Sequence, residues 1–167
     1  MQRLTFLSHF LICLAVAAAA FFATINGVPQ TIWADDMSMM TSVIAALFVA
    51  AAIHLGVQAW QVEDPSVPKD GAALARTPSS DFGHLAERLC VMAGFVGTAI
   101  GLSLQAKALA GGSTSFVALA TSLFTTATGG VSAALVAVMT FNLEAGIRRV
   151  SKPSPVLEPV PHATPAE

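Results

Sequence analysis

Charged side chains are scarce: Lys and Arg number eight, Asp and Glu ten, and together they make up 11% of the 167 residues. A water-soluble domain carries about 25%. With so thin a polar coat the chain is excluded as an ordinary soluble globule. Its apolar content of 54% and mean hydropathy of +0.70 exclude disorder over most of its length. No concentrated basic patch is present and the formal net charge is -2, so nucleic acid is excluded as a partner. Only two cysteines occur, Cys13 and Cys90, each inside an apolar run. They imply no disulfide framework, and no Cys/His spacing suits a metal, so neither metal nor cofactor is expected.

What the chain has is apolar length. Four runs, at 7–25, 40–60, 89–109 and 116–143, approach or exceed the roughly 20 helical residues that cross a hydrocarbon core of about 30 Å. Each is expected to be a helix, because a helix satisfies its own backbone in lipid. The first run, with Arg3 before it and alanines at 17–20, also has the look of a secretory signal peptide. A signal core is typically about 7–15 residues, shorter than this run, so a retained span is the expectation.

Orientation follows from the basic residues. Arg3, Lys69, Arg76, Arg88, Arg148, Arg149 and Lys152 lie on one side of the four spans, and Lys107 alone lies on the other. This seven-to-one bias places both termini in the cytoplasm. Trp33 and Trp60 fall at the expected membrane boundaries. The chain divides into an N-terminal transmembrane hairpin (1–60), a short cytoplasmic loop and helix extension (61–88), a second hairpin (89–150) and a tail (151–167). Ser79, Ser80 and Asp81 read as N-cap residues of the extension, and five prolines make the tail an extended, disordered end. The fold class is all-α, a polytopic membrane protein with four transmembrane helices.

The second hairpin is not plain lipid-facing helix. At 100° per residue, Cys90, Gly94, Gly97, Thr98, Gly101 and Gln105 share one narrow face of the third span. Gly97 and Gly101 form a GxxxG pair that lets another backbone approach closely. In the fourth span Thr121, Thr125, Thr128 and Ser132 form one stripe, with Ser122, Thr126, Gly129 and Ala133 beside it. Bulky residues such as Phe116, Leu123 and Phe141 lie opposite. A small, hydroxyl-rich side of this kind faces either a helix interface or a lumen. No Asp, Glu, Lys or Arg lies deep in any span, since Lys107 and Glu144 sit near ends. His54, nearer the cytoplasmic end of the second span, is expected to be packed or interfacial rather than a proton carrier.

The segment Gly94-Phe95-Val96-Gly97-Thr98-Ala99-Ile100-Gly101 resembles the G-L-x-G-T-V-x-G segment of the MotA/TolQ/ExbB proton channel family. Leu123-Phe124-Thr125-Thr126-Ala127-Thr128-Gly129 is similar to that family's A-L-x-x-T-A-x-G, and Phe141-Asn142 to its closing Tyr-Asn. The resemblance implies a pentameric ring in the bacterial inner membrane around a single-span partner of the ExbD, TolR or MotB type, whose membrane aspartate carries protons. It puts the two pore threonines at Thr98 and Thr126, with Thr121, Ser122 and Thr125 beside them on the path. Gly94, Gly97, Gly101 and Gly129 become helix-interface positions. The glutamate that ExbB and TolQ types carry five residues before the second threonine is Thr121 here, and the helix proline is Leu135. The cytoplasmic loop is too short for the domain of a flagellar stator, so a torque role is not expected.

Two functions from different classes follow: a subunit of a proton-driven or other ion-driven motor, and a structural or assembly subunit whose small faces only pack helices. No span holds a nucleophile, a base and an orienting group together, so no enzyme is expected. Alkaline phosphatase fused at Pro29 should be active and at Ala73 inactive; the reverse pattern would invert the topology.

Overall fold

The computed structural model describes residues 4–27, 39–62, 80–112 and 116–150. Trp33 with its loop, residues 63–79 of the connecting loop and the tail at 151–167 lie outside the described residues. Four α-helices follow one another: α1 (Leu4–Ile25), α2 (Met40–Val62), α3 (Asp81–Ala110) and α4 (Phe116–Val150). The described residues contain no strand. All four helices are long and apolar enough to cross a membrane. Their 22, 23, 30 and 35 residues give lengths of about 33, 35, 45 and 53 Å at 1.5 Å per residue. Against a core of roughly 30 Å, α3 and α4 have length to spare.

α3 runs unbroken from Asp81 through the 89–109 run, so the helical extension and the span are one rod. Its start differs from the sequence expectation. Ser80 occupies the N-cap position with helical backbone and makes no capping bond. Its hydroxyl is hydrogen-bonded to Glu144 of α4. A bond to an ionised carboxylate is stronger than one to a neutral amide, which accounts for the choice. At the other end of α3 the Gly112 amide bonds the Leu109 carbonyl at 3.0 Å. Gly112 has φ 76°, a left-handed conformation in which glycine stops a helix cheaply.

The helices run up and down, and the starts of α1 and α3 meet the ends of α2 and α4. Arg88, Arg148 and Arg149 mark this as the basic end. α3 and α4 make the most extensive contact, α2 packs across both, and α1 touches its neighbours least. The core lies toward the basic end, where Leu55 and Ala59 of α2 meet Ala86 of α3 and Met139 and Leu143 of α4. Outward-facing bulk is large: Phe95 is 64%, Leu123 65% and Phe141 65% exposed. An apolar surface so extensive belongs against lipid or against other spans.

α1 is docked through its first turns. The Asn142 side-chain amide donates to the Thr5 carbonyl at 2.9 Å. The His9 ring nitrogen Nε2 donates to the Ala52 carbonyl at 3.0 Å, and the ring is buried over Gly56. Phe6 meets Trp60 edge-on with ring centroids 5.0 Å apart. A Cβ on Gly146 would stand 2.7 Å from the Thr5 hydroxyl oxygen. Gly146→Leu should therefore pry α1 off α4, at about 1–3 kcal/mol for a side chain forced into a filled contact. The check is disulfide cross-linking between cysteines at positions 6 and 60, with Cys13 and Cys90 replaced. The yield should fall, while the α3/α4 pair stays protease-resistant.

Candidate functional site

The seam between α3 and α4 is set by glycine. A Cβ added to Gly129 would lie 2.8 Å from the Cys90 carbonyl oxygen and 2.9 Å from Gly94 Cα, so the two backbones touch. One turn on, a Cβ at Gly97 would stand 2.7 Å from the Thr125 hydroxyl oxygen, and one at Gly101 would stand 2.6 Å from Ser122 Cβ. Gly94, Gly97, Gly101 and Gly129 are all buried in this contact. The glycine face is thus filled from within the chain. An interface with a second copy would need another surface.

Close approach brings hydroxyl groups of both helices together. Thr121, Ser122 and Thr125 are buried inside the bundle at 7%, 1% and 0% exposure. Thr98 is half-buried and Thr126 exposed, so these two lie at the open edge of the seam. Their hydroxyl oxygens are hydrogen-bonded to each other across the helices. The Ser122 carbonyl lies within reach of three hydroxyls: Thr126 at 2.9 Å, Thr125 at 3.1 Å and Thr98 at 3.2 Å. A carbonyl has two lone pairs, so the three cannot all donate to it at once. Thr125 has an alternative in the Thr121 carbonyl at 3.0 Å and Thr98 one in the Gly94 carbonyl at 2.9 Å. The result is a small set of rotating hydroxyls with more acceptor sites than protons. Its edge can accept a hydrogen bond from a water or a protonated carboxyl.

Further polar groups lie along the same edge, and the motifs do not single them out. Gln105, two turns beyond Thr98 on the same face, holds a buried side-chain oxygen with no partner among the described residues. In the other direction, Glu144 follows Thr126 by 18 residues, five helical turns at about 3.6 residues each, and so returns to the same line. There His84 Nε2 lies 3.0 Å from the Glu144 carboxylate. His84 Nδ1 is 3.7 Å from Glu87, and Arg148 is 3.7 Å from Glu144. The hydrogen bond from His84, then that from Ser80, hold the Glu144 carboxyl below the ordinary carboxylate range; the charges of His84 and Arg148 add to this and partial desolvation opposes it. Five-turn periodicity was the available signal, but it becomes meaningful only once the seam is known.

His54 is exposed, accepts a hydrogen bond from Gln58 at 2.6 Å and lies 4.6 Å from the Phe82 ring. His9, a second histidine within a span, instead bonds the Ala52 carbonyl of α2 through Nε2 and helps hold α1. Among the described residues no group of three or more His, Cys, Asp or Glu side chains is placed to hold a metal ion.

The seam makes a testable demand. Gly97→Ile and Gly129→Ile should each destabilise the chain by about 1–3 kcal/mol or more, because neither helix can move aside without opening the whole contact. Gly130, one residue away, has nothing within 4 Å of an added Cβ. Gly130→Ala should be neutral or gain up to roughly 1 kcal/mol from helix propensity. Denaturant titration in mild detergent measures all three. No family model, curated protein or solved structure matches this chain.

Proposed function

We propose that the chain is an inner-membrane subunit of a bacterial ion-driven motor, the ion being a proton, of the MotA/TolQ/ExbB type. In this proposal both termini and the basic end are cytoplasmic. Identical copies, five by the family resemblance, form a ring around a single-span partner of the ExbD, TolR or MotB type whose membrane aspartate carries the proton. The chain performs no covalent catalysis. The observation that carries the proposal is the Thr98–Thr126 hydroxyl pair at the open edge of the seam. These are the two positions singled out by the motif resemblance. They are also the seam hydroxyls with access to a neighbouring surface. The deep part of every span lacks a carboxylate, which fits a partner that supplies one.

A second function, a structural subunit that packs around a partner and moves no ion, has its own support. Thr121, Ser122 and Thr125 are buried inside the hairpin, and the four seam glycines are occupied there too. Small and hydroxyl-bearing residues of membrane helices commonly do no more than this.

Proton flux separates the two. Thr98→Val and Thr126→Val keep the side-chain shape and remove the hydroxyl. A hydrogen bond to a charged or proton-bearing group contributes about 1.5–3 kcal/mol, so each should lower flux by roughly tenfold or more with assembly intact. Serine at either position should restore most of it, and the double valine variant should be no worse than the poorer single. The measurement is flux in proteoliposomes holding the chain with its single-span partner under a pH gradient. Wild-type flux in both valine variants would sink the pore assignment. No flux from the wild-type complex would favour the scaffold.

A further inference from the structure

We infer that His84, held between Glu144 and Glu87 at the basic end of the seam, is the group that receives the proton on the cytoplasmic side of the Thr98–Thr126 pair. The inference rests on the ion-driven function proposed above and deepens it by naming an exit residue.

Three observations carry it. First, His84 lies on the same line as the hydroxyl pair. Residues 84, 87, 91, 94 and 98 recur at helical spacing along one stripe of α3, and Glu144 lies five turns from Thr126 on α4. Second, the groups are reachable by water: the side chains of His84, Glu144 and Glu87 are 50%, 32% and 37% exposed. Third, an acceptor stands beside each ring nitrogen: the Glu144 carboxylate lies 3.0 Å from Nε2 and that of Glu87 3.7 Å from Nδ1. An ionised carboxylate only accepts, so a proton taken up at either nitrogen has a carboxylate to face.

The step is a simple transfer. An O–H bond of a hydronium leaving the threonine edge breaks, an N–H bond forms at the ring nitrogen that lacks one, and the imidazolium stands between two carboxylates. It then returns the proton to cytoplasmic water. Other charges nearby are Arg148 on α4 and Asp81 and Arg88 on α3. α2 brings His54, engaged with Gln58, and the described part of α1 carries no Asp, Glu, Lys or Arg.

A merely structural clasp is the competing role, and it predicts something different. Exposed ion pairs add little to stability, and the seam is already held by backbone contact at Gly94 and Gly129. His84→Gln and Glu144→Gln should therefore assemble with the partner as the wild type does. Flux in proteoliposomes should fall severalfold in His84→Gln and less in Glu144→Gln. Imidazole added to the bath on the basic-end side should restore flux in His84→Gln, because a mobile base replaces the missing one. It should do nothing for Thr98→Val, whose defect lies upstream. Wild-type flux in His84→Gln would overturn the inference and leave the motor standing. So would a loss that imidazole does not restore, or a His84→Gln complex that fails to assemble, since either makes the residue a structural clasp. A wild-type complex that passes no protons would overturn the motor and this inference together.

Discussion

Backbone contact between α3 and α4 at Gly94 and Gly129 is the constraint on which the other features depend. In lipid there is little hydrophobic gain from bringing two helices together, so association comes from close van der Waals packing and interhelical hydrogen bonds. Glycine supplies the first by removing the side chain that would hold the helices apart. Serine and threonine then supply the second at short range, because the approach brings their hydroxyls within reach of carbonyls and hydroxyls on the facing helix. A Cβ at Gly129, 2.8 Å from the Cys90 carbonyl oxygen, would separate the helices and with them Thr98 from Thr126. Site and fold are held by the same few residues.

The remaining helices are fastened differently. α2 packs across the pair through aliphatic side chains, Leu55 and Ile44 among them, both wholly buried. α1 is held by polar and aromatic contacts, His9 to Ala52, Asn142 to Thr5 and Phe6 to Trp60, together with Ile12 and Cys13 packed against the core. Beyond His9 it turns bulky residues such as Phe21 and Phe22 outward. The bundle is therefore tightest around the hairpin that carries the hydroxyls and loosest at α1.

Lipid also explains the distribution of charge. Deep in a span an ionised side chain is costly, and the chain places none there. Hydroxyls are the polar groups that can be kept at depth without charge, since each bonds a carbonyl one turn back on its own helix, as Thr98 does to Gly94 and Thr128 to Phe124. Among the described residues the ion pairs lie where α3 and α4 overshoot the apolar core: His84 with Glu144 and Glu87, Arg148 with Glu144.

Much of the architecture was legible in the sequence, because lipid imposes a one-dimensional rule. Four apolar runs of sufficient length must become four helices, and their small and bulky sides follow from 100° per residue without knowing any neighbour. So Phe116, Leu123 and Phe141 could be turned outward from periodicity alone. What periodicity does not contain is which face meets which. That Gly97 is filled by Thr125 of the same chain, and that Thr98 and Thr126 meet at an open edge while Ser122 is shut inside, depends on the rotation of α3 against α4. His9 and Ser80 were misjudged or passed over for the same reason. A histidine in an apolar run and a serine before a helix have several partners available, and only the packed helices bring Ala52 to the one and Glu144 to the other.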